Sequence, residues 1–524
     1  MAESTLPPIA PRNASRADWV AVCAGALGAF MATLDISITN SALPQIQGQV
    51  GASGSEGTWI STAYLMAEIV MIPLTAWLTR VFGLRTFLIG NSLLFVFFSM
   101  ICGFADNMTE MIIGRLGQGF AGGAMIPTAH VLVATRLPRH QMPIGITVFG
   151  LTVLLGPLLG PVIGGWLTEN LDWRWCFFLN LPVCVVLVVM LAVGLPSSRP
   201  EWSRFFKADW LGIAGLTLAL SALTVALEEG QRERWFESSL IVTLSLATLV
   251  GAVLLGIAQV TAREPVVRLR LLANRHYAAV IVIVFLVGAG LYGVAYLLPQ
   301  FLAGVAGYNA QQSGSVMLMS GLPAFLVVPL LPRLLARYDA RWLVVVGIVT
   351  LSLSCWLATG ITSRSAGHDF IYSQLLLGVG QLLAMMPLNQ LSMSSVPQEQ
   401  AGDAAGLFNM ARNLGGSIGL ALFGTFLDRR TAFHDDTLRE SVTAASETGQ
   451  AHIDSLQALF FSQHLDAVTA HLQAMSQFAE QIRLQAVVLT YIDTFQVLAL
   501  TLLLCVPLTL LLRKALPGAP VTGH

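Results

Sequence analysis

Charge is scarce in this chain. Of 524 residues only 11% are Asp, Glu, Lys or Arg, and lysine is confined to Lys207 and Lys514. So little charge cannot clothe a water-soluble protein of this size, whereas 55% hydrophobic residues and a mean hydropathy of +0.71 suit a chain that sits in lipid. A formal net charge of −1 gives no basic surface for nucleic acid. Cysteine is sparse too: Cys23, Cys102, Cys176, Cys184, Cys355 and Cys505 form no CxxC pair and have no histidine at metal-ligand spacing, so they read as small core residues and no metal is expected. His130 and His276 read as isolated residues near cytoplasmic helix ends. Without a catalytic constellation or a sizeable soluble domain, an enzyme or a receptor is excluded and no catalytic residue is assigned.

What the chain does have is length in its apolar runs. Stretches of about 20 apolar residues suffice to cross a bilayer, and fourteen are found, near 19–41, 58–79, 86–105, 109–135, 143–167, 174–195, 208–228, 237–261, 276–303, 311–337, 341–362, 368–394, 402–430 and 490–513. The first run is too long for a cleavable signal and is expected to remain as a span. Basic residues mark every second connection: Arg12 and Arg16; Arg80 and Arg85; Arg136 and Arg139; Arg199, Arg204 and Lys207; Arg263, Arg268, Arg270 and Arg275; Arg333, Arg337 and Arg341; Arg513 and Lys514. The alternate connections at 42–57, 105–110 and 304–310 have neither Lys nor Arg. The positive-inside rule then puts both termini in the cytoplasm, as an even number of spans requires. The long polar connection 431–489 falls on the outer side. Within it Leu456, Leu459, Phe460, Leu472, Met475, Phe478 and Ile482 recur at helical spacing, which suits either a helical hairpin lying on its own protein or a docking surface for an extracytoplasmic partner.

A charge at mid-bilayer costs at least about 2.5–3.5 kcal/mol, so an ionisable residue inside a span is a functional candidate. Asp35, Glu68, Arg115 and Arg412 qualify. Asp35 and Arg115 each lie about six or seven residues from the outer end of their spans, a shared depth at which they can pair. Glu68 is nearer the middle, and Arg412 has no evident acidic partner at its depth, so its role stays open. Burial favours the neutral form of a carboxylate and a nearby arginine the charged form, so small rearrangements can load or release a proton. A static pair that fixes helix packing is the plainer alternative. Gln118, Tyr292, Tyr296, Gln300, Asn389 and Gln390 also lie inside spans, and as a set suggest a polar, aromatic path.

Two glycine-rich stretches need opposite treatment. Residues 117–122, GQGFAG, match a dinucleotide fingerprint, but no strand precedes them and they lie within an apolar helix, so small residues for close helix contact are the better reading. Residues 154–166, LLGPLLGPVIGGW, would be poor helix in water. In lipid the prolines are tolerated; Gly156, Gly160 and Gly164 recur every four residues on one face, with Pro157 and Pro161 on the adjacent stripe and Gly165 beside them, giving a groove with a bend.

Taken together these stretches resemble the major facilitator superfamily, in particular its fourteen-helix drug:proton antiporter branch. LDISITNSALPQI (34–46) is similar to that branch's LDxTIVNVALP, RLGQGFAGG (115–123) to RxxQGxG, and the 154–166 stretch to its antiporter motif GxxxGPxxGG. AWLTRVFGLR (76–85) keeps Leu78, Gly83 and Arg85 of the superfamily's GxLADRxGRR loop but has Arg80 in place of Asp, so a gating ion pair cannot simply be carried over. The long outer connection and PLTAWL look closest to the EmrB-type permeases.

The resemblance implies an all-α membrane protein of the major facilitator fold with 14 transmembrane helices: a bundle at 19–195, two extra helices at 208–261 and a bundle at 276–513 that includes the periplasmic 431–489, between cytoplasmic tails 1–18 and 514–524. It implies export of amphipathic toxic compounds across a bacterial inner membrane, driven by the proton gradient and with no cofactor, together with a periplasmic adaptor and an outer-membrane channel. Asp35, Glu68 and Arg115 are the expected coupling residues; Gln118, Tyr292, Tyr296, Gln300, Asn389, Gln390 and Arg412 the expected cavity; and the helix carrying Gly156, Pro157, Gly160, Pro161, Gly164 and Gly165 the element that controls which side the cavity faces. A proton-coupled importer on the same fold is the competing expectation, because fold does not fix function.

Overall fold

A computed structural model describes residues 13–52, 54–138, 141–197, 200–263, 265–441, 447–462 and 467–512, and among them there is helix but no strand. The tails at 1–12 and 513–524, with Arg12, Arg139, Arg199, Arg513 and Lys514, lie outside the described residues. The first group of helices is α1 (Arg16–Val50), α2 (Gly54–Phe82), α3 (Leu84–Phe104), α4 (Met108–Gly122), α5 (Met125–Arg136), α6 (Met142–Asn170), α7 (Trp175–Phe178) and α8 (Asn180–Gly194). A short α9 (Trp202–Phe206) leads to the paired α10 (Trp210–Glu229) and α11 (Ser239–Thr261). The last group is α12 (Arg275–Gly304), α13 (Ala310–Leu318), α14 (Ala324–Arg337), α15 (Ala340–Leu357), α16 (Ile371–Ser394), α17 (Ala401–Ser441), α18 (Glu447–Ser462) and α19 (Ala467–Leu503).

In the first group α1 lies along α6, α5 and α8, while α3 packs on α4 and α8; in the last, α12 lies along α17, α16 and α19, while α15 packs on α16 and α19. The second bundle thus repeats the pairing of the first. The bundles meet through α2 and α5 against α17, and through α6 against α13 and α14, with the α10–α11 pair seated on α2 and α17.

Twelve helical stretches of the described residues are long and apolar enough to cross a membrane. Two of the fourteen expected spans are not among them. The span expected at 109–135 is broken between α4 and α5: Gly122 and Gly123 weaken the helix there, and Pro127 supplies no N–H to the carbonyl four residues back. The one expected at 402–430 is unbroken, but within α17 it carries Asp403, Arg412, Asp428, Arg429 and Arg430. A further expected span, 311–337, is interrupted by a 3-10 turn at Met319–Gly321 between α13 and α14.

The long polar connection at 431–489, read from its apolar repeat as a helical hairpin or a docking surface, is mostly helix. α17 runs on to Ser441, and α19 starts at Ala467, adding about 35 Å before residue 490 at a rise of about 1.5 Å per residue. Between them α18 packs on α19 through Ile453, Leu456 and Ala474, flanked by Phe460 and Phe478, and His452 and His471 reach across to Gln481 and Gln457 at 2.9 and 3.0 Å. The apolar repeat is what drives this: one stripe closes the hairpin, while Leu459, Leu472 and Met475 stay exposed.

The connections sort to two ends. At the arginine-rich end Arg85 donates to the Leu195 carbonyl at 3.2 Å, the Glu201 amide to Val81 at 2.7 Å, and Asn274 to Ser395 at 3.0 Å. At the other end Arg174 bridges Asp106 and Gln49 at 3.1 and 2.9 Å, and Trp235 donates to Thr425 at 3.0 Å.

Candidate functional site

A sealed polar network fills the middle of the first bundle. Asp35 is 1% exposed and Arg115 0%, and Arg115 Nη1 donates to Asp35 Oδ2 at 2.7 Å. Asp35 Oδ1 accepts from Gln118 Nε2 at 3.0 Å and from Asn180 Nδ2 at 2.6 Å. Four elements therefore converge: α1 supplies the carboxylate, α4 the guanidinium and the glutamine, α8 the asparagine, and α2 the Ile60 carbonyl that Arg115 Nε reaches at 3.2 Å. Asn180 also donates to Ser99 on α3 at 2.9 Å, and Ser99 passes a hydrogen bond to the Phe177 carbonyl at 2.8 Å. The Tyr64 ring lies under the guanidinium at 4.3 Å, its hydroxyl buried without a hydrogen-bond partner among the described residues.

Small residues bring α4 this close. At Gly119 and Gly122 a side chain would run into Tyr64, and at Gly123 into the backbone of Glu68. The GQGFAG stretch is thus a helix-contact face, as its sequence context requires.

Arg115 has partners besides Asp35: Gln118 Oε1 at 3.1 Å, the Ile60 carbonyl and the Tyr64 face.

The expected cavity residues divide. Gln118 is fully buried in the network above and does not line a cavity; its amide is consumed by Asp35 and Arg115. Asn389 is buried too, hydrogen-bonded to His130 at 2.5 Å. Gln390 is half-buried, with Oε1 unpaired among the described residues. Tyr296 packs on the core of the second bundle, and Gln300 is exposed. Tyr292, 36% exposed, donates to Asn413 at 3.3 Å, and Arg412 Nε donates to the same oxygen at 3.3 Å. Glu68 is 5% exposed and has no hydrogen-bond or ion-pair partner among the described residues.

One expectation is corrected. His130 is not an isolated residue at a helix end: it is buried between the bundles, against Asn389 of α16 and Asn409 of α17. The loop departure at Arg80 is also explained. Arg80 Nη1 grips both oxygens of Asp403 at 3.1 Å, and Arg268 adds a contact at 3.4 Å, so the ion pair that joins the bundles has its arginine on α2 and its acid on α17.

The proline- and glycine-rich stretch lies on α6 against α1. A side chain at Gly156, Gly160 or Gly164 would meet Thr33, Ser37 or Ile38, whereas at Gly165 it would meet open space. Pro161 has no N–H for the Pro157 carbonyl, and Ser37 Oγ donates to that carbonyl at 3.2 Å. The Pro161 side chain points across to Gly314 of α13, so the helix touches both bundles.

Residues 25–420 match the Major Facilitator Superfamily, well over half of the chain. The chain belongs to the major facilitator superfamily. Within that superfamily it is similar to the colistin resistance protein EmrB of Acinetobacter baumannii, at 30% identity over 96% of this chain and 98% of the relative. It is 29% identical to the multidrug export protein EmrB of Escherichia coli over 90% of each, and 28% identical to the fatty acid resistance protein FarB of Neisseria gonorrhoeae over 84% of this chain and 86% of the relative. Among solved structures the human organic anion transporter MFSD10 aligns with a TM-score of 0.60 at 14% identity, covering 93% of this chain and 99% of that one; this supports the fold alone. Asn180 and Tyr64 went unnoticed in the sequence, although a lone Asn in the apolar run WCFFLNLPVCVV carried the same signal as Gln118.

Proposed function

We propose that this major facilitator protein is a proton-driven exporter of amphipathic toxic compounds, resident in a bacterial cytoplasmic membrane with its arginine-rich end and both termini inside. The relatives named for multidrug export support the direction of transport. The observation that carries proton coupling is the Asp35 site: a carboxylate held by three donors, facing an arginine that keeps other acceptors when the acid is neutral. Asp35 and Glu68 are the proposed proton-carrying groups and Arg115 the counter-charge; the proton gradient is the only energy source, with no cofactor.

In this reading fourteen segments cross the membrane, the broken α4–α5 and the charged α17 included, since buried charges and helix breaks are tolerated where protein surrounds them. Residues 19–195 and 276–513 rock against each other, 208–261 accompany them, and α6 controls which side the central cavity faces. The exposed row Leu459, Leu472 and Met475 on the extramembrane hairpin is the surface offered to a periplasmic adaptor, through which an outer-membrane channel is reached.

The test is dye accumulation in inverted membrane vesicles under an imposed proton gradient. Uptake that collapses with an uncoupler and is lost in Asp35→Asn, at equal protein in the membrane, is the expected result. Uptake that survives the uncoupler overturns proton coupling, and proton-driven movement in the opposite sense identifies an importer.

A further inference from the structure

We propose that Tyr64 is a proton relay, its hydroxyl passing a proton between the Asp35 site and Glu68. The proposal rests on the proton-driven reading above and supplies the group that connects its two carboxylates.

Helix register places the hydroxyl. α2 and α4 run in step over two turns: Arg115 reaches the Ile60 carbonyl, a side chain at Gly119 would meet the backbone of Tyr64, and one at Gly123 would meet the backbone of Glu68. The offset is 55 residues each time, so the two helices are parallel and level. The Tyr64 hydroxyl itself lies against Gly122. In that register Gly122 is level with Ala67, about 1.5 Å short of the level of Glu68. Tyr64 and Glu68, four residues apart, also share a face of α2. The ring of the same side chain lies at the Asp35 site, 4.3 Å under the Arg115 guanidinium that holds the carboxylate at 2.7 Å. One rigid phenol therefore reaches from the counter-charge of the first acid to the level of the second.

Packing explains the ring but not its oxygen. Tyr64 is fully buried, and its hydroxyl has no hydrogen-bond partner among the described residues. An unpaired buried hydroxyl is costly, whereas phenylalanine would fill the same space and keep the same face toward Arg115. Gly122 leaves the room that the oxygen occupies, since any side chain there would take its place. The charged groups that act on the phenol are Glu68 of α2, Asp35 of α1 and Arg115 of α4. Glu68 is buried and unpaired among the described residues as well. A hydroxyl both donates and accepts, so it can take a proton on one side as it gives its own on the other.

The step balances. Neutral Asp35 releases a proton and its carboxylate returns to Arg115; the phenol oxygen gains a proton on that side as its own O–H bond breaks toward Glu68. Asp35 ends ionised, Glu68 ends neutral, and Tyr64 is again a neutral phenol, with no other reactant. The two transfers occur together because Arg115 under the ring opposes a positively charged phenol.

The experiment removes only the oxygen. Tyr64→Phe in the full-length protein keeps the ring, so its melting temperature in detergent should hold or rise. Proton-driven dye uptake at saturating dye should fall about tenfold or more, with the half-saturating dye concentration unchanged. Dye-for-dye exchange at equal pH, which needs no net proton movement, should be largely retained. Proton supply then limits the variant, so its uptake should keep rising on acidification of the proton-donating side over a range where the parent's is flat. Parent-like uptake and pH profile would overturn the relay. Equal loss of uptake and exchange would overturn it too, by placing the hydroxyl in substrate binding or in the conformational change, and so would a lowered melting temperature, which an unpaired hydroxyl cannot produce. If the parent's uptake survives the uncoupler, the function reading itself fails. If that uptake is proton-driven and Tyr64→Phe matches it, only the relay fails.

Discussion

Asp35 and Arg115 can be separated into structure and mechanism by a double-mutant cycle. Both side chains are sealed from solvent at 0–1% exposure and meet at 2.7 Å. Removing one member of such a pair leaves the other uncompensated, at a cost of about 3–5 kcal/mol, while replacing both with neutral groups of similar shape costs little. Arg115→Gln strands the Asp35 charge with only Gln118 and Asn180 as donors. Asp35→Asn leaves Arg115 with Gln118, Ile60 and Tyr64, so it belongs at the lower end of the range. At roughly 2–4 °C per kcal/mol for a cooperative unit of this bundle's size, thermal unfolding of Arg115→Gln in detergent should fall by about 6–20 °C, and the double variant should regain most of the loss. Dye uptake in vesicles should be abolished in all three, because Asp35→Asn and the double variant have no carboxylate at position 35 and Arg115→Gln leaves that carboxylate without its counter-charge. If the pair were only packing, the double variant would recover uptake together with stability. That result refutes the reasoning, as does a coupling energy near zero.

The other predictions concern contacts between helices. Gly160→Ala forces its methyl group into Ser37, including that residue's backbone, whereas Gly165→Ala meets nothing within 4 Å. The first should cost about 1–3 kcal/mol and most of the uptake and the second neither, and equal behaviour of the two would remove the packing argument. Asp403→Asn releases Arg80 and Arg268 together; uptake at saturating dye should drop about fivefold, as expected for a contact of about 1 kcal/mol, with Asp403→Glu retaining most of it, and an unaffected Asn variant would show that the pair does not govern closure. Changing Leu459, Leu472 and Met475 to Ser touches only exposed side chains, so melting temperature and vesicle uptake should hold while adaptor capture in cross-linking is lost; undiminished capture places the docking surface elsewhere.

The parts of this molecule that were legible in its sequence are those set by one helix at a time. A run of apolar residues reports its own burial, so most spans could be read directly, and depth along a helix was enough to bring Asp35 level with Arg115. The spacing of Gly156, Gly160 and Gly164 likewise announced a close contact, though not that α1 would be the neighbour. What escaped depends on the registration of one helix against another. The register of α17 against α2 could not be read from either helix alone; the contacts of Gly402 and Gly406 fix it. His130 looked solitary for the same reason, since its partners lie more than 250 residues away on α16 and α17. The hairpin was half legible: its apolar repeat was visible, but a stripe cannot say which of its residues close on a neighbouring helix and which remain outside. α18 resolves this by burying Leu456 and leaving Leu459 exposed. Single-helix signals thus picked out Asp35, Glu68 and Arg115, the charged groups buried in the first bundle, and the groups that join the bundles required the second helix to be in place before their partners could be named.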